Sequence, residues 1–288
     1  MPQITGAASL GFSHYTLYEA LPRLASIGFR KVEISSFNSY CFHFNYGSPS
    51  PEELKAMLDE LGLEAVSLNY YSRSYNAWEA LEIQSFVQDW RRKLEQLSTV
   101  GIRMMTMSFG IRNDRSDQQL QIENAAKAFS LMGEIAKDYG VRMLLEVPHL
   151  YGIMNRPEMV LDVFDRLTSE NVGALIDSSH WGIIGYDLDR FVSALGSRLW
   201  HIHLRDSRGA DTGDFLQKLE LTPGTGTVDF AQMAEILDRY RYQGEVFLDF
   251  EYRDMGLPQI MKEYFNGLRH LQSCGWTLPD GIRLDDVR

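Results

Sequence analysis

The chain has 288 residues, a hydrophobic fraction of 44%, a charged fraction of 23% and a formal net charge of -11. This length suits two average domains or one (β/α)8 barrel, and no apolar run approaches the ~20 residues that a membrane-spanning helix needs. The acidic balance disfavours tight binding to nucleic acid, because neutralising phosphates depends on clustered lysine and arginine side chains.

Strand-like apolar runs alternate with amphipathic helical runs along the whole sequence. The predicted strands are, in chain order, Ala8–Ser13, Lys31–Ser35, Glu64–Asn69, Met104–Ser108, Val141–Val147, Val172–Asp177, Leu199–Asp206 and Glu245–Tyr252. The predicted helices are Thr16–Ile27, a second opened by Ser50-Pro51 and ended by Gly62, Ala77–Leu97, Ser116–Tyr139, a fifth opened by Pro157, Asp187–Leu195, Asp229–Tyr240 and Pro258–Leu271.

Strict alternation predicts a parallel sheet with crossover helices, and eight repeats within this length predict a closed (β/α)8 TIM barrel. An open doubly wound sheet is the alternative, but no Gly-x-Gly-x-x-Gly turn follows the first strand. No linker divides the chain. We therefore expect a single α/β domain over residues 1–288, with an irregular tail over about 274–288.

Active sites in this fold lie at the carboxyl ends of the strands. Several predicted strands end in acids or histidines after an apolar run. The residues are His14, Glu33, Glu146 with His149, Asp177 with His180, His203 with Arg205 and Asp206, and Asp249 with Glu251. A buried carboxylate is costly unless it is paired or bound to a cation. Convergence of Glu146, Asp177, His203 and Asp249 or Glu251 therefore predicts one divalent metal ion, with Mn²⁺, Co²⁺, Zn²⁺ and Mg²⁺ as candidates.

Each of these residues also has a structural interpretation that does not involve a metal. Glu146 could pair with Arg142, Asp177 could cap the turn after its strand, and Arg205 and Asp206 could form a solvated pair. His180 is placed in a loop as a surface or capping residue. The remaining structural or peripheral candidates are His14, Glu33 and His149. His201 alternates onto the same face as His203 and is expected one layer deeper, hydrogen-bonded in the core.

Five segments in order resemble the xylose isomerase-like barrel superfamily, in particular its sugar phosphate isomerase/epimerase branch. They are Leu144-Leu145-Glu146, Asp177-Ser-Ser-His180, His201-Ile-His203-Leu-Arg-Asp206, Pro223-Gly-Thr-Gly-Thr-Val-Asp-Phe230 and Gly244-Glu-Val-Phe-Leu-Asp249. The resemblance implies Glu146, Asp177 and His203 as metal ligands. The fourth family ligand is usually a glutamate where this chain has Asp249, so Glu251 stays open as a substitute.

The resemblance implies a metal-dependent isomerase or epimerase of a ketose or related polyol-ketone. Glu146 and Asp249 would form the catalytic base/acid pair that moves a proton through a cis-enediolate. The candidate substrate contacts are His180, Arg205, Glu251 and His149. A dehydratase of an inosose- or dehydroshikimate-like substrate shares the first step and stays open. So does a non-catalytic sugar-binding barrel.

The superfamily also contains AP endonucleases, which carry an Asp-x-His between strands seven and eight. This chain has Thr225-Gly-Thr227-Val-Asp229 there, which argues against a nuclease. Cys41 and Cys274 lack zinc-finger or redox spacing and suit a reducing cytoplasm. The amino terminus lacks the features of a signal peptide. We therefore expect a cytoplasmic protein with a small-molecule sugar or polyol-ketone partner, no nucleic acid or membrane partner, and possible homo-oligomerisation.

Overall fold

The computed structural model of the chain describes residues 1–37, 40–45, 48–71, 80–107, 117–150, 152–209, 221–252 and 254–284. The strands in chain order are β1 (Gly6–Ala8), β2 (Lys31–Phe37), β3 (Cys41–Phe42), β4 (Glu64–Tyr71), β5 (Met104–Met107), β6 (Arg142–Glu146), β7 (Val172–Asp177), β8 (Leu199–Leu204) and β9 (Glu245–Leu248). The α-helices within these ranges are α1 (Leu17–Ile27), α2 (Pro51–Leu61), α3 (Ala80–Val100), α4 (Gln118–Lys137), α5 (Pro157–Arg166), α6 (Ser178–Ile184), α7 (Leu188–Leu195), α8 (Phe230–Arg239) and α9 (Leu257–Ser273).

Eight of the strands form a closed parallel barrel. The hydrogen-bonded order runs β1-β9-β8-β7-β6-β5-β4-β2, and β1 also pairs with β2, which closes the ring. The short strand β3 adds an antiparallel extension to β2. The predicted (β/α)8 barrel is therefore confirmed, and within the described ranges no helix is long and apolar enough to cross a membrane.

Several helix ends follow their predicted capping chemistry. The Ser50 hydroxyl accepts from the Glu53 amide at 3.2 Å, while the Glu53 carboxylate accepts from the Ser50 amide at 2.8 Å. Gly62 ends the same helix in the left-handed conformation at φ 63°. These local bonds satisfy backbone groups that the helix itself leaves unpaired, which is why the sequence positions the boundaries well.

The first predicted strand, Ala8–Ser13, is wrong in its bounds. Only Gly6–Ala8 is extended, and Ser9–Phe12 forms a 3-10 turn. The Ser9 hydroxyl accepts the Ser35 amide at 2.9 Å, so a side chain takes the position in the ladder that a strand carbonyl would fill. The last predicted strand is also too long, because β9 ends at Leu248 and leaves Asp249 and Glu251 just beyond it.

The described part of the segment after α9, residues 274–284, packs onto the barrel in a largely irregular conformation. Thr277 forms a parallel bridge with Gln3, and buried Trp276 donates to the Phe230 carbonyl at 3.0 Å. Residues 285–288 of the predicted tail lie outside the described residues.

The barrel interior contains an apolar layer beneath the polar strand ends. It is formed by Val66, Met104, Leu144, Leu175 and Phe247, with Trp200 packed against it. A second, larger core fills the space between the strands and the helices. The inner layer supports the polar side chains that project toward the carboxyl ends of the strands.

Candidate metal centre

Three of the predicted ligands come together at the carboxyl ends of neighbouring strands. Glu146 ends β6, Asp177 ends β7, and His203 lies one residue before the end of β8, paired in register with Asp177. One potential ligand atom from each lies within 4.8 Å of the others. This donor set of two carboxylates and one imidazole suits a divalent cation.

Asp249 adds a third carboxylate to this group. It follows β9, it is 2% exposed, and its Oδ2 lies 3.3 Å from His203 Nδ1. Asp249 Oδ1 and both His203 ring nitrogens have no hydrogen bond of good geometry within the described part of the chain. Buried polar atoms left without partners are costly, and a cation among them would remove that cost. The residues present therefore fit a divalent metal.

The charges around His203 oppose the effect of its burial. Burial lowers the pKa of His203, but Asp249 and Glu33 raise it more, so the net direction is well above the ordinary value. Burial likewise raises the pKa of Asp249, and His203 only partly offsets that effect. Asp249 and Glu33 thus favour the charged form of the imidazole.

Asp177 is held in place by both of its carboxylate oxygens. Oδ1 accepts from the amide and the hydroxyl of Ser179, each at 2.7 Å, and Oδ2 accepts from Arg205 Nη2. Asp177 is thus the N-cap of α6 as well as a candidate ligand. The expected position of His180 in a loop is wrong, because capping by Asp177 starts a helix that carries His180.

His180 lies beside Glu146 and His149. Its Nε2 is 3.5 Å from Glu146 Oε1, and its ring centroid is 4.4 Å from that of His149. Burial raises the pKa of Glu146, but the His180 contact and the charges of His149 and His180 lower it further, so the net direction is down. Burial and His180 lower the pKa of His149 to about 4. Arg142 does not pair with Glu146 but lies over the Trp200 ring, at 5.1 Å from its centroid.

Arg205 is buried, 4% exposed, and bridges two acids. Its guanidinium contacts Asp177 through Nη2 and Glu251 through Nη1, the latter at 2.7 Å. The interpretation of Arg205 as part of a solvated pair is therefore wrong. Of the Arg205 nitrogens, Nε has no hydrogen-bond partner within the described ranges.

Asp206 is also buried, 1% exposed, and organises the loop that carries the Pro-Gly-Thr-Gly segment. Its carboxylate accepts four backbone N–H groups at 2.8–3.0 Å, from Ser207, Gly224, Gly226 and Val228. A Cβ on Gly226 would lie 2.3 Å from Asp206 Oδ1, so only glycine allows this approach. The solvated interpretation is wrong for Asp206 too, and the glycine motif serves a structural bond.

Glu33, which the sequence placed among the structural or peripheral residues, lies against the candidate ligand His203. It is fully buried on β2, and its Oε1 lies 3.1 Å from His203 Nε2. The available signal was an acid between Val32 and Ile34 in the middle of the predicted strand Lys31–Ser35, where a buried charge needs a partner. His14 lies instead on the lining of a separate surface cavity with Tyr18 and Phe42.

His201 lies below His203, as expected, with ring centroids 5.0 Å apart, and 4.9 Å from the Phe247 ring of the apolar layer. The expectation that it is hydrogen-bonded is wrong for the part of the chain described, where neither ring nitrogen has a partner. Burial and the charge of His203 lower the pKa of His201 well below its ordinary value, which keeps the ring neutral.

Two of the curated relatives are enzymes of inosose by name. An inosose dehydratase from Mesomycoplasma hyopneumoniae is 22% identical over 276 residues, covering 87% of this chain and 84% of that protein. An inosose isomerase from Halalkalibacterium halodurans is 25% identical over 135 residues, covering 46% of this chain and 48% of that protein. The matches to the first curated relatives span about half of their length.

Solved structures share the fold over nearly the whole chain. D-psicose 3-epimerase from Clostridium cellulolyticum H10 superposes with a TM-score of 0.75 at 16% identity, covering 95% of this chain and 99% of that one. The IolI protein, solved with a bound zinc atom, gives a TM-score of 0.73 at 15% identity, covering 96% of each chain. The model of one family, the xylose isomerase-like TIM barrels, matches residues 21–274. With its closed barrel and this match over most of its length, the chain belongs to the xylose isomerase-like TIM barrel family.

Proposed function

We propose that the chain is a divalent-metal-dependent isomerase or epimerase of a ketose or related polyol-ketone. One observation carries the proposal: Glu146, Asp177 and His203 cluster beside Asp249, and Asp249 Oδ1 and His203 Nδ1 are buried without hydrogen bonds of good geometry among the described residues. The names of the inosose isomerase and D-psicose 3-epimerase relatives support the same reaction class.

In this proposal, Glu146, Asp177, His203 and Asp249 would hold the metal, and a metal held there would supply Lewis-acid polarisation of the substrate carbonyl. Glu146 and Asp249 serve as the base and acid that remove a proton from the carbon next to the carbonyl and return it, through an enediolate. Burial raises the pKa of Glu146, but the His180 contact and the charges of His149 and His180 lower it further, which favours the ionised form of this carboxylate.

The remaining polar residues bind and orient the substrate. His180 and His149 lie next to Glu146, so we assign them to substrate hydroxyls. Arg205 holds Asp177 and Glu251, and we assign its positive charge to the stabilisation of a developing oxyanion. We assign Glu251, which Arg205 holds, to a substrate contact and Asp249 to the fourth ligand.

A second candidate is a metal-dependent dehydratase that loses a β-hydroxyl after the same enolisation. The observation that favours it is the inosose dehydratase relative, which matches over 84% of its own length. The same residues would serve both reactions, because both begin with proton removal next to a carbonyl. The two outcomes differ in their products.

The test begins with metal analysis of the purified protein. A panel of ketoses and cyclic ketones is then incubated with it in deuterated water and followed by NMR. Isomerisation or epimerisation predicts deuterium at the carbon next to the carbonyl without loss of water, whereas dehydration predicts an enone absorbance. Metal binding with no exchange from any substrate would contradict both and favour a non-catalytic sugar-binding barrel.

A further inference from the structure

A fourth carboxylate lies on the far side of His203 from Asp249. Glu33 on β2 is fully buried, with its Oε1 3.1 Å from His203 Nε2. Its other oxygen, Oε2, accepts from the Ser67 hydroxyl of neighbouring β4 at 2.6 Å. Glu33 and Ser67 are paired in register on the two strands, so the barrel itself sets this contact.

The two nitrogens of His203 therefore face two different acids. Nδ1 lies 3.3 Å from Asp249, which is a proposed ligand, and Nε2 lies 3.1 Å from Glu33, which is not. A neutral imidazole that gives one nitrogen to a metal carries its proton on the other nitrogen. The acid beside that second nitrogen decides which tautomer is stable.

We propose that Glu33 is a positioning residue that accepts the Nε2–H of His203 and so directs Nδ1 to the metal. This inference rests on the metal site of the proposed function. Ser67 completes the arrangement, because its hydroxyl occupies Oε2 and turns Oε1 toward the imidazole. Such carboxylate–histidine pairs fix ring orientation and raise the basicity of the ligand.

A competing use of the same residues is a second ion deeper in the barrel. Potential ligand atoms of Glu33, His201 and His203 also lie within 4.8 Å of one another. The geometry favours the positioning role, because Ser67 already holds one Glu33 oxygen and Phe247 lies against His201. The two arrangements differ in stoichiometry, which is one ion in the first and two in the second.

The first experiment uses the full chain without mutation. Zinc-loaded protein labelled with ¹⁵N-histidine is examined by long-range ¹H–¹⁵N NMR, and His203 is assigned with a His203→Gln variant. We expect His203 to coordinate through Nδ1 and to carry its proton on Nε2. Coordination through Nε2, two bound ions per chain or no bound zinc would each overturn the inference.

The second experiment measures Zn²⁺ affinity of chelator-treated protein by competition with a metal-binding dye. We expect Glu33→Gln to weaken binding by about 10- to 100-fold with one ion still bound, and Glu33→Asp to recover part of the loss. Glu245→Gln is the matched control: a glutamate near the start of β9 that pairs with Lys31, whose replacement should leave affinity unchanged. Circular dichroism of the metal-free variants checks folding.

Unchanged zinc affinity in folded Glu33→Gln would contradict the inference and leave the proposed reaction intact. Conversely, a wild-type protein that binds one zinc ion through Nδ1 but exchanges no substrate proton would contradict the proposed reaction only. The NMR measurement on the wild type decides the inference even if the Glu33 variants do not fold.

Discussion

Arg205 donates through Nη2 to Oδ2 of Asp177 and thereby joins the end of β7 to the residue that follows β8. The same guanidinium donates through Nη1 to Glu251 at 2.7 Å. Both acids are buried, and a buried carboxylate without a partner is costly. Arg205 thus fixes a candidate ligand and a candidate substrate contact at once.

We expect Arg205→Lys to destabilise the protein by about 1–3 kcal/mol, because one ammonium cannot reproduce a planar fork that binds two carboxylates. The measurement is the free energy of unfolding from urea titration. Arg239→Lys is the control, since its pair with Asp189 is exposed and its loss should cost at most about 0.5 kcal/mol. Equal losses of unfolding free energy for the two substitutions would show that the buried Arg205 contacts stabilise the protein no more than an exposed ion pair does.

Metal affinities of two variants can decide whether Asp249 or Glu251 is the fourth metal ligand. Asp249 Oδ1 has no partner within the described ranges, whereas Glu251 Oε2 is held by Arg205. We expect Asp249→Asn to weaken metal binding by more than about 100-fold and Glu251→Gln by about 100-fold or less, as for an outer-shell partner. Competition titration with a chelating dye measures both. The reverse order would make Glu251 the ligand.

Replacing Asp206 tests the role of the Pro-Gly-Thr-Gly segment. In the wild type, both carboxylate oxygens of Asp206 accept from backbone N–H groups. An asparagine has only one side-chain oxygen, so Asp206→Asn would turn an N–H₂ group toward some of these donors and leave them without an acceptor. We expect a loss of about 2–4 kcal/mol in the free energy of unfolding. Asp187→Asn, at the exposed N-cap of α7, is the control and should change stability by no more than about 0.5 kcal/mol. An unchanged free energy of unfolding in Asp206→Asn would contradict a structural role for the Asp206 carboxylate.

Lys93 makes stability depend on pH above neutrality. Its ammonium lies over the Phe44 and Tyr70 rings, and burial lowers the pKa of Lys93 to about 8. In the unfolded chain, a lysine titrates near about 10.4. Between these values the unfolded state binds more protons, so the Lys93 contribution to stability rises with pH across this window.

We therefore expect the unfolding free energy of the wild type, minus that of Lys93→Met, to rise by about 1–3 kcal/mol between pH 8 and pH 10.5. Urea titrations at pH 7, 8, 9, 10 and 10.5 measure this difference. Lys55→Met, at an exposed lysine of α2 that pairs with Asp59, is the comparison and should lack the rise. If the difference in unfolding free energy between wild type and Lys93→Met does not change with pH, a lowered pKa of Lys93 is contradicted.

Much of the fold was predictable from local chemistry. The helix boundaries at Ser50 and Gly62 depend on capping groups within a few residues, and β7 has the predicted bounds Val172–Asp177. The Ala8–Ser13 strand failed because the Ser9 hydroxyl bonds to Ser35, which is 26 residues away in sequence. Such a bond leaves no periodic pattern in either segment.

For the site, the sequence by itself determined which polar residues end the apolar strands, and family resemblance assigned roles to Glu146, Asp177, His203 and Asp249. Only the tertiary structure decided their partners. It placed Glu33 against the second nitrogen of His203, put Arg205 between Asp177 and Glu251, and buried Asp206 under the glycine loop. The physical reason is that the charge balance of a buried group depends on atoms from other strands, and barrel closure brings β2 and β8 together across their inner faces.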